Sequence, residues 1–141
     1  MSDQPLEIHF LNVGHGDCTV IDFPSGNLTM VDINTCTGMD EDTEKELFRG
    51  LMEEYWQMSS ADRQRKVTEM YKVYEEKLVH PVIYLKKIFP NRKIFRFVAT
   101  HPDMDHLSGL SDIAREDIQI INFWDTPHKK TFNESDFQDT H

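Results

Sequence analysis

Six consecutive residues, His101-Pro102-Asp103-Met104-Asp105-His106, hold two imidazoles and two carboxylates. These are the side chains that bind divalent metals of borderline or hard character. They follow the apolar run Ile94-Phe95-Arg96-Phe97-Val98-Ala99, which reads as a buried strand. A tight loop at a strand end can turn all four side chains toward one point. Two metal ions held close together lower the pKa of a water between them and polarise a scissile ester. That supplies a nucleophile at neutral pH without a serine or a cysteine. An acidic surface loop that happens to contain histidines offers the same side chains. The placement between a buried strand and Leu107-Ser108-Gly109-Leu110 favours the metal reading over that one.

The elements that must position this loop can be read from periodicity. Residues 6–13 carry Leu6, Ile8, Phe10 and Val13 with polar residues partly alternating, a strand with one buried face. Gly14-His15-Gly16-Asp17 is a turn, because two glycines permit positive φ. Residues 18–23 predict a second strand, Pro24-Ser25-Gly26-Asn27 a hairpin turn and residues 28–33 a third strand. Together they predict an antiparallel meander.

The character then changes. Thr43 and Glu46 fit a capping box, and Leu47, Leu51 and Tyr55 recur every four residues beside Phe48, Met52 and Trp56. Ser59 and Ser60 interrupt this helix. A second one follows, with Val67, Met70, Tyr71, Tyr74 and Leu78 on one face. The aromatic stripe reads as helix packing rather than a cofactor site. Residues 81–89 predict a third helix, with Pro81 in its first turn. Residues 107–115 predict another helix and 118–124 a last strand. The tail from Asp125 is polar, with Phe132 and Phe137 scattered in it.

Bulk properties narrow the class. The chain has 141 residues, is 38% hydrophobic and 28% charged, and carries a net charge of -10. This is an ordinary soluble composition, and the length suggests one domain. An acidic surface does not attract polyanions, so a phosphate-ester substrate would need bound cations to supply positive charge. No secretory signal and no membrane-spanning run is visible. With two cysteines, Cys18 and Cys36, the expectation is a cytoplasmic protein with reduced thiols.

Thr100 to Leu110 resembles the metallo-β-lactamase superfamily signature, His-x-His-x-Asp-His followed by a small-residue helix start. Leu11-Asn12-Val13-Gly14-His15-Gly16-Asp17-Cys18 is similar to the opening of the subgroup found in competence-type DNA-uptake proteins, where a Val-Gly-x-Gly-Asp turn joins the first two strands. Val31-Asp32-Ile33-Asn34 is similar to the family's early aspartate at a strand end. The resemblance covers residues 6–37 and 80–124. Residues 40–79 would be a helical-hairpin insertion. The implied fold class is α/β in α+β layers: the N-terminal half of an αβ/βα sandwich, with a mostly antiparallel sheet.

By position, the resemblance implies that His101 and Asp103 bind one metal and that Asp105 and His106 bind a second. Asp105 would also orient the attacking water, and Asp32 would support the motif loop by hydrogen bonding. Two divalent ions are implied. Zinc comes first; Asp103, where the commoner pattern has histidine, makes the site harder and lets manganese, iron or magnesium compete. The family's later ligands, a histidine, a bridging aspartate and a final histidine, find no match here. His128 could approach the site from a strand end, and His141 fits no pattern. His15 is a further candidate, although a solvated turn histidine is the plainer reading. The expectation is therefore an incomplete domain with weak metal affinity unless another chain completes it. A half-sandwich leaves a sheet face and an edge uncovered, which invites homo-oligomerisation or docking of the absent half.

The leading function is a hydrolase that uses a metal-bound hydroxide on a phosphodiester, in a small molecule or a nucleic acid, or on another ester or amide. The alternative is a catalytically inactive half-domain serving assembly, with Tyr55, Trp56, Tyr71 and Tyr74 as interface anchors. A redox di-iron protein of the same superfamily fits less well, because its motif carries glutamate where Asp103 stands.

Overall fold

The computed structural model describes residues 4–35, 41–54, 57–129 and 131. Among these residues, five strands and five helices follow in the order β1 (Glu7–Phe10), β2 (Thr19–Asp22), β3 (Leu28–Val31), α1 (Glu41–Glu54), α2 (Ser60–Glu76), α3 (Pro81–Ile88), β4 (Ile94–Val98), α4 (Met104–Leu107), α5 (Leu110–Arg115) and β5 (Ile120–Trp124). The chain divides into two compact units. One is formed by residues 1–37 and 79–141, the other by residues 38–78. No helix among the described residues is long and apolar enough to cross a membrane.

In the first unit the strands form one sheet in the order β1-β2-β3-β4-β5. The β1–β2 and β2–β3 pairs are antiparallel, as the short turns require. The β3–β4 and β4–β5 pairs are parallel. The sheet is therefore evenly mixed rather than mostly antiparallel. Both later connections contain helices, and a helical crossover returns the chain to the end at which the previous strand began.

One face of the sheet is the core. Val20, Leu28, Met30, Ile94 and Phe97 are buried there with Val82, Leu85 and Phe89 of the α3 region, Leu107 of α4 and Ile113 of α5. Pro81 sits at the start of α3, where its missing N–H costs no helical hydrogen bond. The opposite face follows the register Phe10↔Thr19, Thr19↔Val31, Val31↔Val98 and Val98↔Trp124. There Ile8, Phe10 and Trp124 are exposed, Phe10 at 80%. The face of β1 that the alternation of Leu6, Ile8 and Phe10 predicts to be buried is instead open, the core lying on the other side of the sheet. The Arg96 guanidinium lies over the Trp124 ring, 3.9 Å from its centroid.

The strands are shorter than the patterning predicts. β3 stops at Val31 because Asp32 takes φ 54°, and β5 begins at Ile120, after the turn at Asp117 with φ 53°. The helix expected over 107–115 begins earlier, at Met104, and is broken between α4 and α5.

The second unit holds α1 and α2. Ser59 caps α2, its Oγ accepting the Asp62 N–H at 3.2 Å. The Tyr71 hydroxyl donates to the Glu44 carboxylate, joining the two helices. α1 begins at Glu41, so Thr43 is inside the helix and not its cap. Cys36, Tyr55, Trp56, Phe132, Phe137 and His141 lie outside the described residues, as do the side chains of Leu47, Leu51 and Met52.

Candidate metal centre

Topology gathers the candidate residues at one end of the sheet. β3, β4 and β5 run parallel, so their C-terminal ends share a pole. β1 and β2 alternate in direction, which brings the turn between them to the same pole. Residues 11–18, 32–35, 99–109 and 125–128 therefore lie at that pole. In open α/β sheets the crevice beyond the carboxyl ends of parallel strands is the usual binding position.

Asp32 organises this pole. It is 2% exposed, and its backbone N–H donates to Val98 O at 2.9 Å, tying the end of β3 to β4. Its positive φ is tolerated because an aspartate visits the left-handed region more easily than most residues and the surrounding bonds fix it. Oδ1 accepts the Thr100 N–H at 2.8 Å. Oδ2 accepts the Thr100 hydroxyl and lies 2.8 Å from His106 Nδ1. Both carboxylate oxygens are thus engaged with the motif loop.

With Nδ1 held by Asp32, His106 turns Nε2 toward Asp105, 3.4 Å from Oδ2. The His101 ring lies beside it at 4.9 Å between centroids, and Thr100 Oγ1 is 3.0 Å from His101 Nδ1. Asp105 and His106 lie in the short helix α4, and the exposed Asp103 is the N-cap of that turn. Asp103 O accepts the His106 N–H at 3.0 Å.

Among the described residues, the cluster of ligand-type atoms lying within 4.8 Å of one another is formed by Asp17, Asp32 and His106. Of the four expected motif ligands, His106 belongs to it, Asp105 and His101 adjoin it through His106, and Asp103 is not a member. Asp17 is the member that sequence patterning missed. It reads locally as the last residue of a glycine turn, and only the non-local β-pairing brings it to the motif. His15, read as a solvated turn residue, places Nε2 3.7 Å from Asp105 Oδ2 while remaining 57% exposed. His128 leaves β5 at the same pole, with Nε2 3.0 Å from Asp125 Oδ2.

The electrostatics favour positive charge here. Burial pulls the His106 pKa down, but the Asp32 hydrogen bond and the charges of Asp105, Asp32 and Asp17 outweigh it, and the pKa rises. The Cys18 thiol is pushed up to about 12 by burial first, then by the charges of Asp32 and Asp17. The carboxylates of Asp32, Asp105 and Asp17 thus set a negative field at His106 that a cation would neutralise. The donor set of imidazole nitrogens and carboxylate oxygens fits zinc or manganese.

No family model, curated protein or solved structure matches this chain.

Proposed function

We propose that this chain is a metal-dependent hydrolase domain of metallo-β-lactamase type, acting on a phosphodiester or on another ester or amide. The observation that carries the reading is the Asp32–His106 pair. A buried carboxylate fixes one ring nitrogen and so fixes the direction in which the other is presented, the arrangement by which metal-binding histidines are oriented. The likeness of residues 100–110 to the superfamily signature supports the hydrolase class by analogy.

His106, Asp105 and His101 would hold the ions, with Asp103 at the entrance to the same turn. Zinc is the first expectation, and manganese, iron or magnesium the alternatives. When bound, divalent metal supplies a lowered water pKa and polarisation of the scissile bond. The chain's own residues do the rest. Asp32 and Thr100 hold the His106 ring, and Asp105 offers a carboxylate oxygen to orient water and take its proton. The net charge of -10 disfavours a polyanion until cations occupy the pole.

Elemental analysis of the purified chain, before and after loading with zinc and manganese, tests the reading. The double variant Asp105→Ala/His106→Ala should lose the metal and keep the fold. A parent chain that takes up neither metal would remove the hydrolase reading.

The second reading is a binding module. It is favoured by one observation, the exposed Ile8, Phe10 and Trp124 on a single sheet face. They stand at opposite edges of that face, Ile8 and Phe10 on β1 and Trp124 on β5, and exposed apolar surface of this kind is what a partner covers. A second copy of the chain, or a complementary half of the sandwich, would cover them.

A further inference from the structure

The proposed hydrolase uses residues of the motif loop and Asp32, just past β3. The turn between β1 and β2 has no part in it, yet it lies against the same atoms. We infer that this turn is a ligand arm, with Asp17 and His15 binding the cation alongside Asp105 and His106. The inference rests on the metal reading above and extends it to residues outside the motif.

The backbone of the arm is pinned to the motif loop. At Gly16, φ is 103°, and an added Cβ would lie 2.2 Å from Asp105 O. No other residue type permits that approach. The next amide, Asp17 N–H, points at the same Asp105 O, at 3.4 Å. From beneath, the Asn34 side-chain amide donates to Val13 O at 3.3 Å and to His15 O. Asn34 is itself fixed, since Ser108 donates to its Oδ1 at 2.9 Å. The arm is thus tied to Asp105 on one side and, through Asn34 and Ser108, to the chain following α4 on the other.

The side-chain spacing fits shared coordination. His15 Nε2 lies 3.7 Å from Asp105 Oδ2, which lies 3.4 Å from His106 Nε2. Two donors on one tetrahedral ion, each about 2.1 Å from it, sit about 3.4 Å apart. Asp17 belongs to the 4.8 Å cluster with His106. Asp32, the third member, has both oxygens bonded to Thr100 or facing His106, so Asp17 is the cluster's carboxylate left for a metal. Two imidazoles and two carboxylates make a four-donor set within one chain, without a contribution from elsewhere. The bland alternative is that His15 is a solvated turn residue and Asp17 only adds to the negative field.

Calorimetric titration of the metal-free full chain with zinc chloride separates these. The parent should bind zinc, and Asp17→Asn and His15→Gln should each weaken binding by about tenfold or more, since even supporting residues cost that much. Asp105→Ala/His106→Ala is the reference for loss of the site. Far-UV circular dichroism checks that each variant is folded. On the unsubstituted chain, imidazole nitrogen NMR should show His15 Nε2 and His106 Nε2 shifting together at saturating zinc.

If the double variant loses zinc while Asp17→Asn and His15→Gln titrate like the parent, the ligand arm is wrong and the metal reading stands. An unmoved His15 Nε2 beside a shifted His106 Nε2 removes His15 in the same way, whatever the variants do. A parent that binds no zinc overturns both proposals.

Discussion

Asp32 Oδ2 stands 2.8 Å from His106 Nδ1 across 74 residues of sequence. The same carboxylate receives the Thr100 N–H and hydroxyl. Asp32→Asn keeps the shape but sets an amide NH₂ against one of these groups. Zinc affinity should fall by about 10–100-fold, because the ring of His106 loses its orienting charge. Stability should fall by about 1–3 kcal/mol, since a buried hydrogen-bond partner is lost. Calorimetry and urea unfolding on the same preparation read both. An unchanged zinc affinity would show that Asp32 does not position His106.

Gly16→Ala and Gly26→Ala form an informative pair. Both glycines have positive φ, 103° and 82°, but only Gly16 has an atom in the way. Each substitution should cost about 1–2 kcal/mol for the left-handed backbone alone. Gly16→Ala should cost more than Gly26→Ala and also weaken metal binding, because Asp105 must move. Equal losses in the two urea curves would show that the contact with Asp105 O carries no energy.

Far from the site, Arg92 holds Asp22 with two hydrogen bonds of 2.7 Å each and donates to Gly26 O. That hydrogen bonding, more than it is offset by burial, keeps the Asp22 carboxyl below its ordinary value of 3.8. A depressed folded pKa stabilises the protein above the unfolded value, and the benefit disappears as pH falls through the folded one. Arg92→Met should therefore cost about 1 kcal/mol at neutral pH, a modest figure for a partly exposed pair. The gap between parent and variant should close below pH 3.8, measured by urea unfolding across pH. A gap that widened on acidification would contradict the assignment.

The Cys18 thiol, buried and pushed up to about 12, should resist alkylation in the native protein. In a Cys36→Ser background, iodoacetamide at pH about 8 should leave the intact mass unchanged until denaturant is added. Rapid native labelling would show that the pocket around Cys18 opens readily.

What the sequence made legible was local. Alternation in Leu6 to Phe10 and the turn at Gly26 point to β1 and the β2–β3 hairpin, and the apolar run at 94–98 points to β4. The motif's ligand-type side chains were visible from residue types alone. Three features escaped because they depend on distant chain. The direction of β4 against β3 is set by a helical crossover, not by composition. The end of β3 is set by φ at Asp32, which Thr100 and His106 stabilise from the far side of the chain. Asp17 looks like any aspartate after a glycine until β1 and β2 bring its turn beside Asp105. Asp105 and His106 were expected in a loop, but a helical turn carries them, and successive residues on a helix point in different directions.

The parallel pairing of β3 with β4 also has a kinetic meaning. Leu28 faces Ile94 and Val31 faces Val98, contacts that close a long stretch of chain. Closure entropy is lost before such contacts can return any favourable energy, so folds rich in them cross their barrier slowly. The β1–β2–β3 meander can form from neighbouring residues, whereas Asp32 meets His106 only after the crossover is complete. Refolding from denaturant should then show the strand signal of the meander rising first, with the pole that joins Asp32 to His106 the last part of the molecule to mature.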